Sequence, residues 1–381
     1  MSISSHGKRE LTLGRKILQI NWFLILLLMV IASIGFAMLY SAANGNWHPW
    51  ATRQIARFGV ALCALLVIAL IDIRFWMRWA YFGYLGALGL LFVVEVAGEI
   101  GMGAQRWIDL GVFQLQPSEL MKVALVLALA RYFHAPTLQE VGQPLRLIPP
   151  ILIVIGPTVL VLQQPDLGTA MMLIFAGGGL LFLAGVRIWK FLLVGFAGLA
   201  CIPIAWGLLR EYQRNRILTF LNPENDPLGA GYHILQSKIA LGSGGLFGKG
   251  FLQGSQSHLN FLPEKQTDFI FTMLAEEFGL AGGIGLIGLY MLVLLYGTAI
   301  GLRARSQFAR LLALGLTLNF FLYMFINIAM VTGLLPVVGI PLPLISYGGT
   351  AMLTLMIGFG FVIGAYVHRD VRISRRGVDE D

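Results

Sequence analysis

Charge is what this sequence has least of. Asp, Glu, Lys and Arg make up 12% of its 381 residues, about half the share of an average soluble domain. A water-soluble globule, which covers its surface with charged side chains, is thereby excluded. Cysteine is almost missing: Cys63 and Cys201 are the only two. Both lie in apolar runs, so a disulfide-stapled scaffold is excluded and two separate buried thiols are expected. No cleavable-looking signal is present, because MSISSHGKRELTLGRKILQ is polar and basic and the first apolar run is long enough to stay as a span. The sequence also lacks an internal repeat, a low-complexity tract and a dedicated metal-ligand cluster.

What it has instead is oil. Hydrophobic residues make up 57% of the chain, in runs long enough to cross a bilayer at about 20 residues each. These runs do not alternate apolar with polar, which excludes a β-barrel. The fold class predicted is all-α integral membrane: a single polytopic domain over 1–381, a bundle of about ten transmembrane helices. The spans read as Trp22–Tyr40, Ile55–Ile71, Trp79–Val96, Leu120–Phe133, Ile148–Leu162, Thr169–Ala184, Phe191–Leu209, Phe269–Ile300, Leu311–Val331 and Thr350–Tyr366. The eighth run exceeds one crossing. Its start, with Glu276 and Glu277, is expected at the surface, and the helix proper is expected from Leu280.

An even number of spans puts both termini on one side. Both tails, 1–21 and 368–381, are basic, and the loops on their side add Arg74, Arg78, Arg131, Arg146, Arg187, Lys190, Arg303, Arg305 and Arg310. The positive-inside rule places that side in the cytoplasm. The net charge of +8 is then a topology signal, and no nucleic-acid partner is expected. The large loop 211–268, between spans seven and eight, faces outward, as do 42–54, 97–118, 163–168 and 332–349.

Every motif with chemical character falls on that outer face. In QPSELMK, Pro117 and Ser118 open a helix whose first turn carries Glu119, and Lys122 lies three residues on, on the same face. The pair is either structural or part of a site. In QQPDLGTA, Asp166 reads as a cap for the helix at Thr169. In YQRNR, Arg214 and Arg216 either snorkel to lipid headgroups or clamp phosphate. GSGGLFGKG lacks the order of a nucleotide-binding loop, and its glycines are expected to allow close backbone approach to a bulky ligand. His258 follows it, and a lone histidine is more often a hydrogen-bonded surface residue than a ligand. FLPEKQTDFIF sets Lys265 and Asp268 just before an apolar run. A carboxylate at the mouth of a span is costly to desolvate and is a functional candidate by default. LLPVVGIPLPLISYGGTA is a non-helical apolar hairpin, which must be buried in protein or line a cavity, and Ser346 and Tyr347 either donate into one or serve packing alone.

Taken together and in this order, RWIDLG, QPSELMK, QQPDLGTA, YQRNR, NPENDPLGAGYHILQSKIA, FLPEKQTDFIF and LPVVGIPLPLISYGG resemble the SEDS family, on its rod-shape (elongation) branch, over essentially the whole chain. The resemblance implies an inner-membrane peptidoglycan glycosyltransferase that polymerises lipid II within the elongation machinery, paired with a class B penicillin-binding protein. It implies that Asp268 is the family's essential aspartate, that Glu119 and Lys122 match its polar helix start, and that a divalent cation (Mg2+ or Mn2+) is required. In such a reaction a hydroxyl must be deprotonated, which suits Asp268 as general base. The leaving diphosphate needs positive charge, for which Arg106, Arg214, Arg216 and Lys265 are candidates, with His258 and Ser346 as further substrate contacts. Two rival readings use the same residues: a lipid II flippase, and a non-catalytic scaffold for the transpeptidase.

Overall fold

In the computed structural model the chain is described over residues 12–97, 99–101, 104–109, 111, 114–208, 211–225, 230–259, 264–371, 373 and 374. Helices α1 (Leu13–Leu18), α2 (Trp22–Ala42), α3 (Trp50–Leu70) and α4 (Ile73–Ala97) come first. Three short strands follow, β1 (Glu99–Gly101), β2 (Ala104–Asp109) and β3 (Gln114–Leu115). Next are α5 (Pro117–Tyr132), α6 (Leu138–Val141), α7 (Pro144–Gln163), α8 (Leu167–Leu183), α9 (Ile188–Ala200) and α10 (Ile202–Leu208). The interval 211–268 holds α11 (Glu211–Leu221), a 3-10 turn at Pro223–Asn225, α12 (Ala230–Ser243) and α13 (Ser255–His258). The last three are α14 (Ile270–Arg303), α15 (Gln307–Val331) and α16 (Gly349–Val367).

Among the described residues seven helices are long and apolar enough to cross a membrane: α2, α3, α4, α7, α14, α15 and α16. The architecture is that of a polytopic helical membrane protein. α8 and the α9–α10 pair are apolar but shorter. α5 has 16 residues, which at 1.5 Å each span roughly 24 Å, less than the hydrocarbon core.

α15 and α16 form the centre, with 72% and 78% of their most apolar windows buried, against 28% for α3 and α4. Small residues let the helices close up. A Cβ on Gly360 of α16 would stand 2.9 Å from the Leu65 carbonyl of α3. α9 is the opposite case, with no buried residue at all.

Three expectations need correction. The chain is not purely α: the loop before α5 carries a three-stranded antiparallel sheet in the order β1-β2-β3, in the register Ile108↔Leu115 and Asp109↔Gln114. Strands of two to six residues are too short to read from periodicity. The two cysteines are free, as expected, but both are exposed. In a membrane protein an apolar run faces lipid as readily as protein, so hydrophobicity does not report burial.

The third correction concerns α14. Its 34 residues are interrupted at Gly279, which has φ 67 and ψ −164. The break falls where the sequence placed the start of the span. Yet Ile270 to Glu277 are buried without exception, so this leading stretch lies inside the protein and not at its surface. The glycine-rich segment after α12 wraps the break. Leu280 and Ala281 donate their N–H groups to the carbonyls of Gly245 and Leu246, at 2.9 and 3.0 Å. Lys249 and Gly250 donate theirs to Glu276 and Glu277, at 3.1 and 3.0 Å. Gly248 has φ +82, and a Cβ there would stand 2.1 Å from the Glu277 carbonyl. Gly244 and Gly248 therefore lie against the chain's own α14, while Gly242 and Gly245 have open space beside them.

Candidate active site

Asp268 closes the turn that leads into α14. Its carbonyl accepts from the Asn327 amide of α15 at 3.0 Å, and the same amide reaches the Ile340 carbonyl at 2.7 Å. The hairpin between α15 and α16 locks onto the turn from the other side. Tyr347 N–H donates to the Gln266 carbonyl at 2.8 Å, and the Ser346 hydroxyl donates to the Thr267 carbonyl at 2.5 Å while accepting from Leu342 N–H at 2.7 Å. Gly339, with φ +72, lies against the carboxylate: a Cβ there would meet Asp268 Oδ2 at 3.3 Å. Asp268 is half-buried. Its backbone is fixed by α15 and the hairpin, and its carboxylate lies along the hairpin. Ser346 spends its one proton on this clamp, which is the packing role that the sequence also allowed.

One helical turn further along both elements, Ser237 of α12 meets Thr272 Oγ1 at 2.8 Å and donates to the Val331 carbonyl at 2.7 Å. Residues 268–272 thus run beside 327–331 in the same direction, toward the end of α15. Asp268 is recessed below that end.

Glu119 and Lys122 do form the expected pair. Lys122 Nζ donates to Glu119 Oε1 at 2.6 Å, and the two residues are 1% and 3% exposed. The other carboxylate oxygen, Oε2, accepts from the Tyr323 hydroxyl and, at 3.3 Å, from Thr354 Oγ1. Lys122 Nζ also stands 4.2 Å from the centre of the Tyr323 ring and 3.9 Å from Met172 Sδ. Such desolvated charges persist only when the surrounding donors and acceptors are complete.

The predicted phosphate-binding cations are placed variously. Arg106 donates to the Pro165 carbonyl at 2.6 Å and lies 3.7 Å from Asp166, which caps α8 through Thr169 N–H at 3.1 Å as the sequence indicated. Arg214 donates to the carbonyls of Trp206 and Gly207, at 3.0 and 2.8 Å, capping α10. Arg216 lies in α11, and its side chain is outside the described residues. Lys265 is only 6% exposed, and burial pushes its pKa below the usual lysine value. His258 sits 3.3 Å from Glu277 Oε1 and 2.5 Å from Asn44 Oδ1. Ser41 donates to the same Glu277 oxygen at 2.5 Å.

Sequence reasoning missed three side chains. Tyr323 and Asn327 are four residues apart on α15 and face the ion pair and Asp268 in turn. Polar residues at helical spacing within an apolar run carried the signal. Thr354 joins them from α16. Lys238 of α12 is exposed, and its Nζ would stand 2.8 Å from a Cβ on Gly333, just past the C-terminal end of α15. Among the described residues it forms no ion pair.

A family described as a cell cycle protein family, that of FtsW, RodA and SpoVE, matches residues 15–371. The chain belongs to this family. It is the SEDS family that the motifs resembled. The peptidoglycan glycosyltransferase MrdB of Escherichia coli K12 is 46% identical over 353 residues, covering 91% of this chain and 93% of the relative. Stage V sporulation protein E of Bacillus subtilis is 34% identical, covering 89% and 95%. Among solved structures, a chain from a peptidoglycan synthase complex that coordinates polymerization and crosslinking superposes with a TM-score of 0.78 at 33% identity, covering 92% of this chain and 98% of that one. The rod shape determining protein RodA of Thermus thermophilus gives a TM-score of 0.71 at 30% identity, covering 93% and 98%.

Proposed function

We infer that this chain is a peptidoglycan glycosyltransferase that polymerises lipid II into glycan strands for cell-wall elongation and rod shape. Near-complete coverage by relatives named for that activity supports the class of reaction. The observation that carries the site is Asp268: a half-exposed carboxylate whose backbone is held by Asn327 and by the hairpin.

Asp268 is the general base. It takes the proton of the acceptor hydroxyl as that oxygen attacks the anomeric carbon of the donor. The bond from that carbon to the diphosphate breaks, and the lipid diphosphate leaves with the electron pair. Because diphosphate leaves readily as an anion, one carboxylate serves where glycosidases generally use two. A single displacement inverts the anomeric centre and gives a β-linked strand. Isolation of a glycosyl ester on Asp268 would contradict this.

The leaving group calls for positive charge at the mouth. Lys238 is exposed there, and Arg216 is the remaining candidate from the sequence. Among the described residues no three His, Cys, Asp or Glu side chains converge as metal ligands. A divalent cation, Mg2+ or Mn2+, would accordingly travel with the substrate diphosphate and screen its charge.

The chain crosses the inner membrane ten times, with α5, α8 and α9–α10 completing the set. Both termini are cytoplasmic, and 211–268 faces the periplasm as part of a single domain. The substrate's tail would enter sideways from lipid through a groove between spans. The partner is a class B penicillin-binding protein, whose crosslinking would be coordinated with polymerisation as in the related complex.

The deciding experiment uses the purified full chain with that partner in liposomes containing lipid II. The parent lengthens glycan strands without moving lipid II between leaflets. Asp268→Asn, which keeps size and removes charge, loses polymerisation while still binding the partner. Full activity in Asp268→Asn would favour the scaffold reading, and translocation without polymerisation would favour the flippase.

A further inference from the structure

Tyr323 stands at the junction of the two charged features of the site. Its hydroxyl donates to Glu119 Oε2, and its ring lies 4.2 Å beneath Lys122 Nζ. The residue is 1% exposed, so no bulk water can replace either contact. Thr354 is no substitute donor. Its single proton is shared among Glu119 Oε2 at 3.3 Å and the carbonyls of Thr350 and Ala351, both at 3.0 Å. Glu119 thus has one committed donor on each oxygen: Lys122 on Oε1 and Tyr323 on Oε2.

The same helix carries the other half of the site. Asn327, four residues on and on the same face, holds the Asp268 carbonyl at 3.0 Å. Four residues of α-helix span about 6 Å, and this helix is almost wholly enclosed. A rigid rod therefore connects the ion pair to the turn that presents Asp268.

We propose that Tyr323 is a positioning residue for transglycosylation. Its hydroxyl orients Glu119, its ring seats Lys122, and α15 holds the pair in register with Asp268. The inference rests on the glycosyltransferase reading above. It adds a neutral residue, outside the charged set, whose effect falls on turnover and not on substrate binding.

The test measures kcat and KM for lipid II in liposomes, with the full chain and its partner, for the parent, Tyr323→Phe, Glu119→Gln and the double variant. Phenylalanine keeps the ring and the packing and removes only the donor. Loss of a hydrogen bond to a buried carboxylate is expected to lower kcat roughly ten- to a hundredfold, with KM held within about twofold of the parent and the thermal midpoint lowered less than in Glu119→Gln. The double variant should match Glu119→Gln alone, because contacting residues acting as one unit are not additive. Thr354→Val should lower kcat less than Tyr323→Phe. Parent-like turnover in Tyr323→Phe would overturn the proposal. So would loss of the fold in that variant, a change confined to KM, or multiplicative effects in the double variant. An inactive parent, or an active Asp268→Asn control, would instead overturn the glycosyltransferase reading, which keeps the two failures apart.

Discussion

Glu119 and Lys122 illustrate what burial does to a pair of charges. Each is tolerable only because the other is present, since a lone buried ion bears its whole desolvation cost. Glu119→Gln, which strands the Lys122 ammonium at 1% exposure, should therefore cost about 3–5 kcal/mol, seen as a lower thermal midpoint in detergent. Glu119→Gln combined with Lys122→Met should recover most of that stability but not polymerisation. Recovery of both would make the pair structural. Lys265 gives a pH dependence. Burial lowers its folded pKa below the unfolded value near 10.5, so the unfolded chain binds more protons and stability rises with pH in that window. The penalty is full below the folded pKa and gone above the unfolded one. Lys265→Met should accordingly unfold at a higher temperature than the parent at neutral pH, with the gap closing as the pH approaches about 10.5. A gap that widens would mean that the charged form is the favoured one.

At the scale of elements, the decisive feature is the break in α14. Gly279 turns the chain, and the 244–250 segment supplies the hydrogen bonds that the interrupted helix lacks. Gly248→Ala would place a methyl group 2.1 Å from the Glu277 carbonyl, at φ +82. Left-handed backbone alone costs about 1–2 kcal/mol with a side chain, and the clash adds to it. We expect a clear drop in thermal midpoint and in partner-coupled polymerisation. Gly242→Ala, within α12 and with open space around it, should leave stability unchanged or slightly raised. Equal behaviour of the two variants would show that the strap is dispensable. The break itself was legible in the sequence as an apolar run too long for one crossing, with two glutamates near its start. That the leading stretch is buried was not legible, because its cover comes from segments distant in sequence.

For the whole molecule, the expectation concerns sidedness. Phe247 is 83% exposed in the interval assigned to the periplasm, and Arg305 is 56% exposed in a loop assigned to the cytoplasm. On a background lacking Cys63 and Cys201, Phe247→Cys should react with a membrane-impermeant maleimide in intact spheroplasts. Arg305→Cys should react only after permeabilisation. The reverse pattern would put Asp268 on the cytoplasmic side, away from the sugars of its proposed substrate.

Local chemistry determined what the sequence could state alone: membrane residence, the helix start at Pro117, the Asp166 cap, the Glu119–Lys122 contact and the candidacy of Asp268. Each follows from solvation or from residues within one helical turn. Only the tertiary structure decided that α9 lacks cover, that Ser346 is occupied with a clamp, that the glycine strap serves α14, and that Tyr323 and Asn327 join the pair to the aspartate. Those facts depend on which distant backbone fills the space beside each side chain, and spacing along the chain does not encode that.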